Sequence, residues 1–179
     1  MNVPEFIDPG KIISQIGITE GLFVSDFGCG SGHFSILMAR AVGPNGRLAA
    51  VDVQTSALEN VKEQAKRAGL DNVAFIHADL EVPGSTKLPD SSQDLVLMRN
   101  VLFQSQKKEQ VMKEALRVLK TGSRLAVIEW KKGAGGFGPP DNIRTDEAEI
   151  ETLIQNLGFG IQNKIGSDDY HFGFIAVKK

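Results

Sequence analysis

The sequence is poor in cysteine and carries no large excess of charge of either sign. Its 179 residues include one cysteine, Cys29, which cannot form an internal disulfide or supply the ligand set of a structural zinc site. The formal net charge is -2 at pH 7, and the pI is about 5.9. We therefore expect no metal site and no broad phosphate-binding surface, and nucleic acid is not favoured as a partner.

Long apolar runs are also lacking. No stretch approaches the roughly 20 apolar residues of a membrane span, and the first ten residues, MNVPEFIDPG, lack the basic and then apolar order of a secretion signal. The sequence therefore predicts a cytoplasmic protein with no membrane span. With 41% hydrophobic and 23% charged residues, a chain of this length is expected to form one domain, residues 1–179.

The glycine-rich stretch at residues 22–35 is the strongest local signal. A short apolar run leads to Asp26, and three alternating glycines follow: Gly28, Gly30 and Gly32. This order predicts a tight turn between a buried strand and a helix N-terminus, where free backbone N–H groups face an anionic or polar ligand. Dinucleotide-binding loops have the pattern GxGxxG, whereas this loop is GxGxG and has His33 at the sixth position.

Strand and helix patterns alternate along most of the chain. Apolar runs of strand length recur at about residues 48–53, 72–77, 94–99 and 125–130, with apolar helical stripes between them and a hairpin pattern at 161–178. The sequence thus predicts an α/β fold. We expect a Rossmann-like, doubly wound, seven-stranded sheet, mostly parallel with one antiparallel strand near an edge, and helices on both faces.

Local signals predict where helices begin and end. N-caps are expected at Asp8, at Thr55 or Ser56, and at Thr145, and a helix at about 106–120 is expected to end at Thr121. Residues 1–20 predict a short helical cover over the sheet or the ligand. Residues 131–144 contain four glycines and two prolines without any periodic pattern, which predicts a mobile substrate loop.

The motifs together resemble a known family. DFGCGSG, the run LPDSSQDLVLMRNVLF and the run MKEALRVLKTGSRLAVIEW resemble the class I S-adenosylmethionine (SAM) methyltransferases, over about residues 22–178. The likeness is to the small-molecule branch that includes quinone-biosynthesis methyltransferases and methyltransferases of types 11 and 25. The chain departs from that pattern at Thr121-Gly122-Ser123 and lacks the long insertions that usually form a substrate cap.

The resemblance implies SAM as the cofactor and assigns contacts to the strand ends. Asp52 is expected to accept hydrogen bonds from both ribose hydroxyls, and Asp79 from the adenine amino group. An acid after an apolar strand is often only a turn residue, and that alternative stays open for Asp79. The full expected set is Asp26, Gly28, Gly30, Gly32, Asp52, Val53, Gln54, Asp79, Leu80 and Asn100.

A methyl acceptor would need alignment more than chemical catalysis, because the sulfonium supplies the leaving group. If the acceptor is a phenol or an enol, a base helps, and the candidates are His33, Glu129, Tyr170 and His171. An antiparallel last strand would place Tyr170 and His171 beside Trp130, at the edge where the cofactor lies. These two are the hypothesised catalytic residues, and a half-buried structural role is the alternative for His171.

Several functions fit this pattern. The leading hypothesis is a SAM-dependent methyltransferase acting on a small molecule. A protein or RNA acceptor, a nicotinamide-dependent oxidoreductase and a catalytically silent SAM-binding partner subunit are the alternatives. All apolar faces are accounted for by the expected core, so the sequence gives no argument for a dimer.

Overall fold

The computed structural model describes residues 8–165 and 168–179. The strands are β1 Phe23–Phe27, β2 Arg47–Asp52, β3 Val73–His77, β4 Gln93–Arg99, β5 Leu119–Trp130, β6 Phe159–Lys164 and β7 His171–Lys178. The α-helices are α1 Pro9–Ile16, α2 His33–Val42, α3 Thr55–Arg67, α4 Lys108–Val118 and α5 Glu147–Asn156, and single 3₁₀ turns lie at Leu102–Gln104 and Asp141–Ile143. The start of the predicted N-terminal cover, residues 1–7, and residues 166–167 of the predicted hairpin lie outside the described residues.

The strands form one sheet in the order β3-β2-β1-β4-β5-β7-β6. Neighbouring strands from β3 to β5 are parallel, and β7 runs antiparallel to both β5 and β6. The predicted doubly wound sheet with one antiparallel strand next to an edge is therefore confirmed. The chain moves outward from β1 to β3 and then returns to β4, so the strand order reverses between β1 and β4. Open α/β sheets bind ligands outside the carboxyl ends of the strands at such a point.

Both faces of the sheet are covered, which explains why the central strands are apolar at nearly every position. In β4, Leu95 and Leu97 pack with α1 and α2, whereas Val96 and Met98 pack with α4 and α5. The third helix, α3, covers Ala50 of β2 through its own buried apolar stripe. The helices thus lie on both sides of the sheet, as predicted.

The helix ends confirm one predicted cap and correct two. Asp8 caps α1, since its Oδ1 accepts a hydrogen bond from the amide of Gly10 at 2.8 Å. The prediction of Thr55 or Ser56 as the cap of α3 was wrong: Gln54 occupies that position without a side-chain cap. The cap of α5 is Asp146 rather than Thr145, and its carboxylate accepts from two amides of the first turn.

The fourth helix and the fifth strand meet earlier than predicted. The helix ends at Val118, and β5 already begins at Leu119, so Lys120 and Thr121 belong to a strand that was expected only from Leu125. A register shift between the pairings of Gln93 and Leu95 accommodates the additional residues. This irregularity explains why the segment lacks a clean strand pattern in the sequence.

Within the part of the chain that the structure describes, no helix combines the length and apolar character needed to cross a membrane.

Candidate functional site

A cavity of about 400 Å³ lies at the carboxyl ends of the first four strands. We call it the strand-end cavity. Its size suits a small-molecule or cofactor site, and it lies where the strand order reverses. The lining residues are Asp26, Gly28, Cys29, Gly30, Ser31, His33, Phe34, Asp52, Val53, Gln54, Ala57, Ala78, Asp79, Leu80, Glu81, Arg99, Asn100, Val101, Gln104, Ser105 and Val111.

The glycine loop forms one wall through its backbone. Gly28 has a φ of 77°, a left-handed conformation that suits glycine, and the amides of Gly28 and Cys29 both donate to the carbonyl of Val51. A Cβ on Gly28 would lie 2.5 Å from Cγ2 of Val101. Only glycine therefore lets the loop approach the segment that follows β4.

Gly32 is not among the lining residues. It precedes α2, and a Cβ there would lie 2.8 Å from Cγ2 of Val61 on α3. Its absent side chain thus permits close helix packing. Its predicted contact with the cofactor remains a prediction.

Asp52 joins the glycine loop to the turn after β2. Its Oδ2 accepts from the amide of Gly30 at 3.0 Å, and its Oδ1 accepts from the amide of Gln54 at 2.9 Å. These bonds fix the carboxylate at the end of a buried strand, in the wall of the cavity. Oδ1 retains a further lone pair for a ligand hydroxyl, whereas Oδ2 also accepts from the weak thiol donor of Cys29, with Sγ 3.9 Å away.

Asp79 and Leu80 line the far end of the cavity, just after β3. Oδ1 of Asp79 accepts from the amide of Glu81 at 2.9 Å, so Asp79 also forms the local turn anticipated as its alternative role. Glu81 was not predicted as a site residue. Its Oε1 accepts from the hydroxyl of Ser105 at 2.7 Å and from the amide of Gln106 at 2.8 Å, which closes this end of the cavity against the chain before α4.

Asp26 and Arg99 place opposite charges in the wall. Burial raises the pKa of Asp26 to about 6, although the Ser35 hydroxyl, 2.6 Å from its Oδ2, and Arg99 both act to lower it. Burial also lowers the pKa of Arg99, and its Nε is buried without a hydrogen-bond partner among the described residues. The guanidinium carbon lies 5.3 Å from the ring centre of Phe34. Arg99 was missed as a site residue because it ends an apolar strand.

Cys29 lines the cavity as a thiol rather than a thiolate. Burial, together with the nearby charges of Asp26 and Asp52, raises its pKa to about 12. A protonated thiol is a weak nucleophile.

Glu129 of β5 anchors the segment that follows β4. It is fully buried, and its Oε1 accepts from the amides of Val101 at 2.8 Å and Leu102 at 2.7 Å, while its Oε2 accepts from Phe103 at 3.3 Å. Burial raises the pKa of Glu129 to about 7 despite these donors. Glu129 does not line the cavity, so the arrangement favours an anchoring role over the role of base that the sequence left open for it.

Tyr170 and His171 lie beside Trp130, as the antiparallel last strand predicts, but neither lines the strand-end cavity. His171 is 3% exposed, and its ring centre lies 4.0 Å from that of Trp130. Its Nδ1 lies 2.8 Å from Oδ1 of Asp168, and its Nε2 lies 3.3 Å from Nδ2 of Asn100. His171 therefore reaches the cavity wall through Asn100. Direct catalysis by Tyr170 or His171 remains a prediction.

The loop at residues 131–144 is organised around Arg144. The buried guanidinium donates to the carbonyl oxygens of Lys131 at 3.1 Å, Pro139 at 2.9 Å, Gly135 and Phe137. It also lies 5.6 Å from the ring centre of Trp130. The predicted mobility of this loop and its role in binding substrate remain predictions.

The structure brings nine of the ten predicted cofactor residues to one cavity, all except Gly32. It adds Glu81 and Arg99, which apolar periodicity does not distinguish from ordinary surface or strand residues. No group of three or more His, Cys, Asp or Glu side chains in the described ranges is placed to hold a metal ion.

Comparisons with known proteins agree with this geometry. A family model described as "Methyltransferase domain" matches residues 18–157. A crystal structure of a SAM-dependent methyltransferase from Aquifex aeolicus superposes with a TM-score of 0.88 at 28% identity, covering 97% of this chain and 91% of that one.

Two relatives are similar in sequence over about two thirds of this chain. A demethylmenaquinone methyltransferase of Listeria welshimeri is 36% identical over 113 residues, which is 63% of this chain and 46% of the relative. A ubiquinone/menaquinone biosynthesis C-methyltransferase of Hahella chejuensis is 33% identical over 121 residues, which is 67% of this chain and 47% of the relative. The chain thus spans about half the length of these relatives.

Proposed function

The chain belongs to the family of methyltransferase domains, and from that premise we propose that it binds SAM in the strand-end cavity and methylates a small phenol- or quinol-like acceptor. The observation that carries this proposal is the convergence of Gly28, Asp52 and Asp79 in one cavity where the strand order reverses. The names of the two relatives support an acceptor of the quinol class.

The polar groups of the cavity match the hydrogen-bonding groups of SAM. The Asp52 carboxylate would accept from the two ribose hydroxyls, in charge-assisted hydrogen bonds of about 1.5 to 3 kcal/mol each. Asp79 has an oxygen beyond its turn contact for the adenine amino group, and Leu80 and Val53 offer apolar surface to the ring. Gly28 and Gly30 would let the backbone approach the methionine portion, near Asp26.

When bound, SAM supplies the methyl group and a thioether leaving group. The chain's own contribution is alignment, because holding two reactants in an attack geometry removes about 7 to 11 kcal/mol of barrier. The glycine loop and the segment after β4 form two walls of the cavity, which such alignment needs. The anchoring of that segment by Glu129 supports this role.

Arg99 supports an acceptor with an ionisable oxygen. A cavity-lining guanidinium whose Nε has no described partner is costly unless a ligand completes its hydrogen bonds. A phenolate or enolate oxygen would do so, and the positive charge would favour ionisation of that oxygen. An ionised oxygen also makes the adjacent ring carbon or the oxygen itself nucleophilic.

Calorimetry with SAM, S-adenosylhomocysteine and NADH tests the binding step. We expect both SAM compounds to bind, and Asp52→Ala to weaken binding by at least about tenfold through the lost ribose contacts. Asp71→Ala is the control, because Asp71 is exposed and does not line the strand-end cavity. Binding of NADH alone would overturn the proposal.

Release of labelled methyl groups from SAM to a panel of phenols, quinols, thiols and amines tests the transfer step. We expect transfer to phenols or quinols. Transfer only to thiols or amines would refute the acceptor class. SAM binding without transfer to any acceptor would refute the enzyme and favour a SAM-binding partner subunit.

A further inference from the structure

Three side chains, those of Asp168, His171 and Asn100, join the last strand to the wall of the strand-end cavity. The side chains of Asp168 and His171 are each 1% exposed. Nδ1 of His171 lies 2.8 Å from Oδ1 and 3.0 Å from Oδ2 of Asp168. Because a carboxylate only accepts, Nδ1 carries a hydrogen atom.

The hydrogen bond from Nδ1 of His171 to Asp168 determines which way the Asn100 amide faces. In a neutral ring with hydrogen on Nδ1, Nε2 has a lone pair and can only accept. The group that faces Nε2 at 3.3 Å is therefore the NH₂ group of Asn100, in agreement with the observed atom, Nδ2. The amide orientation thus follows from the hydrogen-bond network.

The orientation leaves the amide oxygen of Asn100 for another partner. Oδ1 is buried and has no hydrogen-bond partner among the described residues, although Asn100 lines the cavity. A buried carbonyl oxygen without a donor is unfavourable, because it has given up its hydrogen bonds to water without replacing them. Asn100 also adopts a φ of 57°, an unusual conformation outside glycine, which is a second sign of a constrained functional position.

We propose that His171 is a positioning residue, which holds the Asn100 amide so that its oxygen accepts a hydrogen bond from the amino group of the bound cofactor's methionine portion. The location supports this donor, since Val101, next to Asn100, contacts the glycine loop at Gly28, where that portion would lie. The inference rests on the proposed function.

The proposal also predicts a dependence on pH. If His171 gains a second proton, its Nε2 becomes a donor, and the Asn100 amide must turn its oxygen toward the ring and away from the ligand. The pKa of His171 is lowered from its ordinary value, mainly by burial. Asp168 acts to raise it, and the cationic Arg99 and Arg144 act to lower it. Cofactor affinity is therefore expected to fall only as the pH drops below the ordinary histidine range of about 6.5.

A double-mutant cycle on S-adenosylhomocysteine binding tests the proposal. His171→Phe keeps a ring against Trp130 but removes both nitrogen atoms, and Asn100→Ala removes the amide. We expect each single change to weaken binding at pH 8 by about tenfold or more, and the double variant to be no weaker than Asn100→Ala alone. If His171→Phe weakens binding as much in the Asn100→Ala background as in the wild type, the proposal is wrong.

A second ligand and matched controls identify the group involved. 5′-Methylthioadenosine lacks the amino-acid portion, so its affinity should be the same within about twofold in all four proteins; an equal loss for both ligands would refute the amino-group contact. Asn156→Ala, at an exposed site on α5, controls for the loss of an amide. A wild-type protein that binds neither ligand would refute the proposed function, whereas wild-type binding with unchanged variants would refute only this inference.

The Asp168→Asn variant makes the smallest change to the fold. It keeps an oxygen that can accept from Nδ1 but removes the charge that favours protonated His171. We expect nearly wild-type affinity at pH 8 and an acid-side loss of affinity that moves to lower pH. The same acid-side loss in Asp168→Asn and in wild type would contradict the role of His171, because Asp26 titrates alike in both proteins.

Discussion

Replacing Glu129 by alanine is the sharpest test of how the cavity wall is held. One buried carboxylate accepts from three consecutive amides, those of Val101, Leu102 and Phe103. In the alanine variant these amides lose their partner, and leaving a buried donor unsatisfied costs about 1 to 3 kcal/mol each. Even with partial relaxation we expect the free energy of unfolding to fall by about 3 kcal/mol or more, out of a usual 5 to 15.

The loss should depend on pH in a defined direction. Burial raises the pKa of Glu129 from its ordinary 4.5 to about 7 in the folded protein. Between these values the folded state binds more protons than the unfolded state, so this contribution to stability is complete below pH 4.5 and is lost as the pH rises through 7. The rise in pKa from 4.5 to about 7 corresponds to about 3 kcal/mol of free energy. The alanine variant lacks this contribution, so it should be more destabilised at pH 5 than at pH 8.

Urea unfolding followed by circular dichroism at pH 5 and pH 8 measures both effects. Asp26, whose pKa is raised to about 6, also titrates between these pH values, but it is present in both proteins and cancels in the difference. Glu129→Gln keeps the volume and one acceptor oxygen, so it should lose less stability than the alanine variant at pH 8. A loss below about 1 kcal/mol at pH 5, or a larger loss at pH 8 than at pH 5, would refute the anchoring role.

Three further predictions concern the loops. Gly28→Ala should weaken SAM binding at least about tenfold in calorimetry, because it combines a φ of 77° with a Cβ 2.5 Å from Val101. Gly21→Ala is the control, since Gly21 has a φ of 87° but no neighbour within 4 Å of the added Cβ. This control should lower the free energy of unfolding by about 1 kcal/mol without affecting binding. Adding Val101→Ala to Gly28→Ala should restore part of the affinity, and no recovery would show that backbone strain alone is responsible. Arg144→Ala should speed tryptic cleavage at residues 131–132 by about tenfold, since four carbonyl contacts are lost, and unchanged cleavage would contradict the organising role of Arg144.

The sequence was sufficient to predict the fold and nine of the residues that line the strand-end cavity. Two strong patterns carried that prediction: the GxGxG loop after an apolar strand, and Asp52 at the end of the next strand. Both patterns depend on local geometry. The glycine loop needs a backbone with positive φ, and Asp52 needs a strand that ends at the carboxyl edge of the sheet. Local geometry is what sequence spacing encodes best.

The roles of Glu129 and His171 were harder to predict because they depend on contacts between distant segments. An acid near the carboxyl end of a strand is a candidate for a catalytic base. Glu129 instead accepts hydrogen bonds from the three amides that follow β4. His171 begins an edge-side strand, and nothing in its neighbours indicates that Asp168 and Asn100 meet it on opposite sides of the ring. Periodicity gives the face of a residue but not its hydrogen-bond partners.

The predictions of two helix caps were wrong for a related reason. Thr55, Ser56 and Thr145 are all good capping residues, but the caps in the structure are Gln54, one residue before Thr55, and Asp146, one residue after Thr145. Neighbouring residues of similar propensity compete for such a position, and the packing of the helix on the sheet decides between them.

Arg144 donates hydrogen bonds to main-chain carbonyl oxygen atoms, which every amino acid has. The backbone path of the loop thus depends on the Arg144 side chain, on the Asp141 carboxylate that accepts from the amide of Gly133, and on four glycines with positive φ, whereas its exposed side chains are less constrained. Substitutions at Phe137 or Ile143, both exposed, can alter the surface chemistry of the loop without changing its backbone path. Point substitutions can therefore change the outer surface of this loop while its backbone path is kept.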